Sequence, residues 1–151
     1  MKNYELNKNN YIKEKTLTIE RLQLKNIIAL EYFTPNIQFL IDSFNKEYQW
    51  DGMFDIEEVK NRINKGHILF ILYYDNQPIG YVWFKKLDDT TCFGYNLYVT
   101  KQINRPKIAP KWFYNKVSGI MLKEYDTINV EIEDWNKVVF DLVESIGYKE
   151  M

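Results

Sequence analysis

The chain has 151 residues, 46 % apolar and 17 % aromatic, which suits one domain spanning residues 1–151 with a full core. A formal charge of -1, with 27 % charged residues of both signs, argues against a basic nucleic-acid scaffold, an acidic mimic or a disordered tail. One cysteine, Cys92, excludes an internal disulfide, and one histidine, His67, gives no pair for a zinc-type site, so a reducing, cytoplasmic setting without a metal is expected.

The opening MKNYELNKNN is polar, without the apolar run of a secretory signal, and residues 1 to 14 carry little pattern. Thr16 to Arg21 alternates Leu17 and Ile19 with Thr16, Thr18 and Glu20, as a half-buried strand does. Leu22 to Phe33 is ambiguous, a short helical turn being one reading. Thr34 and Pro35 then read as N-cap and first helical residue, and Ile37, Leu40, Ile41 and Phe44 recur at helical spacing to about Tyr48. Asp55 and Glu58 have capping-box spacing ahead of Ile56, Val59 and Ile63, and Gly66 stops this second helix.

His67 to Tyr74 and Ile79 to Lys85 read as an antiparallel hairpin about the turn Asp75-Asn76-Gln77-Pro78, with Thr91 to Thr100 as a third strand. The His67–Tyr74 run is strand-sized, well short of the roughly 20 residues of a spanning helix, and no membrane partner is expected. A helix opening at Pro110 aligns Phe113, Val117, Ile120 and Met121, with Glu124 following on the same face. Thr127 to Ile132 alternates as a strand, and a last helix from about Trp135 gathers Val139, Leu142, Val143 and Ile146 before Gly147. Only Tyr148 to Met151 remain for a final strand, and no repeat or linker marks a second domain.

Cys92 to Lys116 concentrates charge. It carries Lys101, Arg105, Lys107, Lys111 and Lys116, and no acidic residue falls between Tyr95 and Lys123. A strand, a basic loop and a helix start form a phosphate-binding arrangement, because the first helical amides lack intrahelical partners and the macrodipole favours negative charge. Phosphate is favoured over a merely solvated loop. Nucleic acid, stacking on Trp112, Phe113 and Tyr114, is the weaker reading because Phe113 belongs to the core face and no basic stripe continues elsewhere.

The element order resembles that of the GCN5-related N-acetyltransferase (GNAT) superfamily over roughly residues 16 to 148. The tail from Trp135-Asn136-Lys137 to Ser145-Ile146-Gly147-Tyr148 looks like the family's closing helix, and Asp75-Asn76-Gln77-Pro78-Ile79-Gly80-Tyr81 like its third-strand region. The resemblance implies an α+β fold, an α/β three-layer sandwich in which a mixed, mostly antiparallel sheet is flanked by helices. It implies acetyl-CoA as co-substrate and direct transfer of the acetyl group to an amine on a small molecule or peptide. Backbone at Leu97, Tyr98 and Val99 would receive the acyl carbonyl, and Lys101, Arg105, Lys107, Ile108, Ala109 and Lys111 the pyrophosphate. Asn136 is first a helix cap and second a cofactor contact. Tyr48, Trp50, Met53 and Phe54 would wall the acceptor pocket, their bland alternative being core packing. A homodimer is left open.

Two departures accompany the resemblance. The phosphate loop reads Arg105-Pro106-Lys107-Ile108-Ala109-Pro110, with Ile108 and Pro110 where the family has small residues, and Val143 stands where it often has a Tyr acid. Acyl transfer to an amine needs a base for the ammonium proton and an acid for the thiolate. Glu131, which shares a face with Asn129, is read as the base and Tyr98 as the acid, against an ordinary solvent-facing role for Glu131. His67 reads as a hydrogen-bonded strand-end residue and Cys92 as a buried small hydrophobe. The alternative to an enzyme is a GNAT-fold binding or assembly module without catalysis.

Overall fold

The computed structural model describes Asn3 and residues 17–22, 34–48 and 55–151. Among the described residues five strands form one sheet in the order β1-β2-β3-β4-β5: β1 Leu17–Leu22, β2 Ile68–Tyr74, β3 Gln77–Lys86, β4 Thr91–Val99 and β5 Thr127–Val130. The first four pair antiparallel, and β5 runs parallel to β4. Helices α1 (Thr34–Glu47) and α2 (Ile56–Asn64) cover one face, and α3 (Ala109–Met121) and α4 (Lys137–Ile146) the other. The expected three-layer α+β architecture, with a mixed and mostly antiparallel sheet, is what forms. Among the described residues no helix is long and apolar enough to cross a membrane.

Two cores follow from strand alternation. Ile37, Leu40, Ile41 and Phe44, the helical repeat of α1, are buried with Val59 and Ile63 of α2 against Leu69, Ile71, Tyr81, Trp83 and Tyr98. The other strand positions, among them Phe70, Leu72, Val82, Phe84 and Cys92, pack on Phe113, Val117 and Met121 of α3 and Val143 of α4. Tyr114 and Ser118 are also buried, so the inner face of α3 is wider than the sequence pattern indicated. Ile120 is half-buried, and Glu124 lies beyond the helix, paired with Arg21.

Local chemistry sets the element ends. The Asp55 carboxylate accepts the Glu58 amide at 2.8 Å, but the Glu58 side chain accepts from Arg62 Nε at 3.2 Å, so half of the expected capping box forms. The turn between β2 and β3 is tighter than expected. Asp75 and Asn76 have φ of 47° and 67°, a two-residue turn whose twist matches the strands, so Gln77 and Pro78 belong to β3. Pro78 is tolerated because the register shifts beside it: Tyr73 faces Pro78 while Leu72 faces Gly80. The strand expected to run to Ile132 ends at Val130, and Tyr148–Met151 form no strand.

Gly80 is needed for close strand approach. A Cβ there would lie 2.6 Å from the Tyr98 carbonyl oxygen, whereas one on Gly119 of α3 meets nothing within 4 Å. Gly80→Ala is expected to lower stability by about 1–3 kcal/mol, and Gly119→Ala to raise it by about 0.5–1 kcal/mol through helix propensity. Urea unfolding of the two variants measures both changes, and the opposite order would contradict this packing.

Candidate active site

Strand β4 has two different halves. Cys92–Gly94 pair with β3 on one side and Thr91–Gly94 with β5 on the other, the last parallel pair being Gly94–Val130. From Tyr95 onward, among the described residues, β4 keeps only β3. At the same point the register with β3 shifts, with Asn96 and Leu97 set against the single residue between Tyr81 and Trp83. Asn96 has φ of 55°, a left-handed conformation that Asn tolerates better than most residues. This bulge resets the alternation, so Tyr98 faces α1 while Leu97 and Val99 face the α3 side.

Beyond the bulge the amides divide between the two edges of the strand. Thr100 donates its N–H to Ile79 at 2.7 Å, toward β3. Backbone polarity alternates along a strand, so Tyr98 also points toward β3, whereas Val99 and Leu97 point to the side that β5 has left. Of the three residues expected to receive an acyl carbonyl, two present their amides to the open fork.

Glu47, in the last turn of α1, holds the exit of β4. Its carboxylate accepts the Tyr98 hydroxyl, the Thr100 hydroxyl at 3.1 Å and the Lys101 amide at 3.1 Å. Tyr98 is 4 % exposed, with the rings of Phe44, Tyr48 and Tyr81 around it. Burial, then the bond to Glu47, pushes its hydroxyl far above the ordinary tyrosine range. Glu47 did not emerge from the sequence, although a carboxylate in a last helical turn opposes the macrodipole and so signals a partner elsewhere.

The basic loop then leads into α3. Arg105 folds inward: its Nε donates to the Thr100 carbonyl at 2.8 Å and Nη1 to the Pro106 carbonyl at 3.2 Å, so it staples the loop. Burial lowers its pKa, opposed by Glu47 and Tyr98. Lys101, Lys107 and Lys111 are exposed, as is the N-cap residue Ile108, which supplies no side-chain cap. Ala109 is fully buried and its amide bonds the Pro106 carbonyl at 3.1 Å, which removes it as a direct phosphate donor. Among the described residues the amides of Ile103, Asn104, Arg105, Lys107, Ile108 and Lys111 have no protein acceptor. Three exposed lysines and these amides fit a pyrophosphate, even with prolines at 106 and 110.

A second polar group lies on the α3 side of the fork. The left-handed cap at Gly147, with φ of 118°, folds Tyr148 back so that its amide bonds the Val143 carbonyl at 3.0 Å. The Tyr148 and Ser118 hydroxyls are 2.8 Å apart, and the Tyr148 ring centroid is 5.6 Å from that of Tyr114. The Tyr114 hydroxyl is 3.0 Å from where a Cβ on Gly94 would sit, so this glycine makes room for it at the last β4–β5 pair. Burial raises both phenol pKa values, and it pushes the neighbouring Cys92 thiol up to about 11, leaving that side chain an inert core residue.

The other expected residues fall as follows. Glu131 is exposed and directly follows β5, one residue past the Gly94–Val130 pair, which places it at the crotch of the fork. Asn136 caps α4, its side-chain oxygen accepting the Val139 amide at 3.3 Å. Tyr48 is half-buried against Phe44 and Tyr98. Trp50, Met53 and Phe54 lie outside the described residues. Val143 is a core residue at 7 % exposure.

No family model and no curated protein matches the sequence. Solved structures do match. An aminoglycoside acetyltransferase from an uncultured soil metagenomic sample, in complex with sisomicin, superposes with a TM-score of 0.64 at 18 % identity, covering 91 % of this chain and 93 % of that one. The ribosomal-protein-alanine N-acetyltransferase of Brucella melitensis biovar Abortus 2308 gives 0.61 at 13 % identity, covering 89 % and 92 %. An aminoglycoside N-acetyltransferase in complex with CoA gives 0.59 at 13 % identity, covering 89 % and 88 %. With its half-paired, bulged fourth strand opening beside a basic helix start, the chain has the GCN5-related N-acetyltransferase fold.

Proposed function

We propose that this protein is an acetyl-CoA-dependent N-acetyltransferase that moves the acetyl group directly to an amine. The observation that carries the reading is the fork: β5 leaves β4 after Gly94 and the bulge at Asn96 follows, so backbone donors face an open edge. Acetyl-CoA, when bound, supplies an activated acyl thioester there.

In this reading Leu97 and Val99 donate amides to the acyl oxygen as it gains negative charge, a contribution that needs no particular side chain. Lys101, Lys107 and Lys111, with the open loop amides, hold the pyrophosphate. Glu131 takes the ammonium proton from the acceptor, through water. Tyr98, the acid read from the sequence, gives its hydroxyl to Glu47, so we assign proton delivery to the leaving thiolate to Tyr114 and Tyr148 on the α3 side. Both phenols are protonated at neutral pH, and the burial that raises their pKa values makes them weaker acids until the thiolate forms beside them. Asn136 serves as the cap of α4, and Tyr48 contributes to the acceptor wall. A binding module without catalysis is the second reading, favoured by the inward-turned Arg105.

Isothermal titration with acetyl-CoA, followed by thiol release over a panel of amines, tests the reading. Saturable binding and turnover are expected; no binding at millimolar ligand overturns it, and binding without turnover leaves the module. Replacing Lys101, Lys107 and Lys111 together by Ala is expected to raise the CoA Kd by about tenfold or more, with a weaker salt dependence. Tyr148→Phe is expected to lower kcat by about a hundredfold with the CoA Kd unchanged. Equal kcat values would remove the tyrosine pair from the chemistry.

A further inference from the structure

On the α2 face, beside the bulge, lies a cluster that the steps above do not use. The Arg62 guanidinium stacks on two rings, 5.4 Å from the Trp83 centroid and 5.8 Å from that of Tyr95. The Lys85 ammonium lies 5.5 Å from the Phe93 centroid and 5.9 Å from that of Tyr95. The Tyr95 hydroxyl and His67 Nδ1 are 2.7 Å apart. Two donors in this cluster are buried without a hydrogen-bond partner: Nη1 of Arg62 and Nε1 of Trp83, a residue with 0 % exposure. Buried donors of this kind are nearly always satisfied, and two of them, one on the guanidinium and one on the indole beneath it, mark a place for an acceptor atom.

The charge of that acceptor follows from the surroundings. Arg62, Lys85 and Lys65 all depress the His67 pKa, after burial itself, and only Glu58 opposes them. Glu58 is already engaged by Arg62 Nε at 3.2 Å. His67 is therefore held neutral, and the cluster keeps a cationic excess over an aromatic floor. Its rim, formed by Arg62, His67, Lys85, Phe93 and Tyr95, is half-exposed, so the two buried donors lie just beneath the surface. A planar guanidinium whose Nη1 has no partner, its Nε being held by Glu58, is suited to a carboxylate oxygen.

We propose that this cluster, with Arg62 at its centre, holds the carboxylate of the acceptor, so that the substrate is an amine carrying a carboxylate on the same molecule. The proposal rests on the acetyltransferase reading for its link to the fork. Tyr95 immediately precedes the bulge, and two to four residues of strand, at about 3.3 Å each, separate it from Leu97 and Val99. That strand spacing, roughly 7–13 Å, sets the scale of the separation between amine and carboxylate, within the reach of an ω-amino acid or a short peptide.

The test pairs 6-aminohexanoate with hexylamine, which have the same chain and differ in the carboxylate. With acetyl-CoA and the full chain, kcat/KM is expected to be at least tenfold higher for 6-aminohexanoate, and Arg62→Gln to erase most of that ratio. The resonance of His67, the chain's one histidine, provides a readout that needs neither turnover nor a variant. It is expected to shift on titration with 6-aminohexanoate and with hexanoate, and to stay put with hexylamine at matched ionic strength. An unmoved resonance with both carboxylates means that water alone satisfies the donors and overturns the proposal, as does equal kcat/KM for the two amines. Failure of acetyl-CoA to bind while His67 still responds sinks the enzyme reading and leaves the carboxylate site.

Discussion

Strand β4 has to pair on two sides and yet end with one side open. Its first half is a central strand between β3 and β5, and its second half is an edge. An exposed edge normally invites a further strand. Here the bulge at Asn96 turns the strand where the second partner is lost, and the side chains beyond it are re-aimed, with Tyr98 toward α1 and Leu97 and Val99 toward α3. The open amides are thus a product of sheet geometry. Everything at the candidate site is arranged around that opening.

The elements that fix the opening come from distant parts of the chain. From one face α1 sends Glu47, which gathers the Tyr98 and Thr100 hydroxyls and the Lys101 amide onto one carboxylate. On the other face α3 and the turn after α4 supply Tyr114, Ser118 and Tyr148. Arg105 bridges the loop between strand and helix by bonding two carbonyls. The loop therefore keeps its shape through a side chain, which substitutes for the conformational freedom that glycines would have given it.

The fold was largely legible because alternation in β2 to β4 and the 3.6-residue spacing in α1 to α4 are strong local signals. Errors came where tertiary context decides: the tight turn at Asp75–Asn76, Pro78 within a strand, and the early end of β5 at Val130. The site was less legible. Its open-edge donors are backbone, which no residue type announces, and Glu47 reads as a solvent-facing acid until the chain brings Tyr98 and Thr100 to it. Arg105 and Ala109 look like phosphate ligands in sequence, but one staples the loop and the other lies in the core with its amide already bonded. The Arg62 cluster was silent because its members lie on three elements and the strand before which His67 stands.

The parallel pairing of β4 with β5 also bears on the order of assembly. Strands β2, β3 and β4 follow one another through short turns, so their hairpins form from neighbours in sequence, whereas β5 can join only after α3 has crossed the sheet. The four-residue β4–β5 ladder therefore costs a loop closure that the two hairpins avoid. The fork is thus completed only when β5 docks, and a nascent chain halted before Thr127 would lack it.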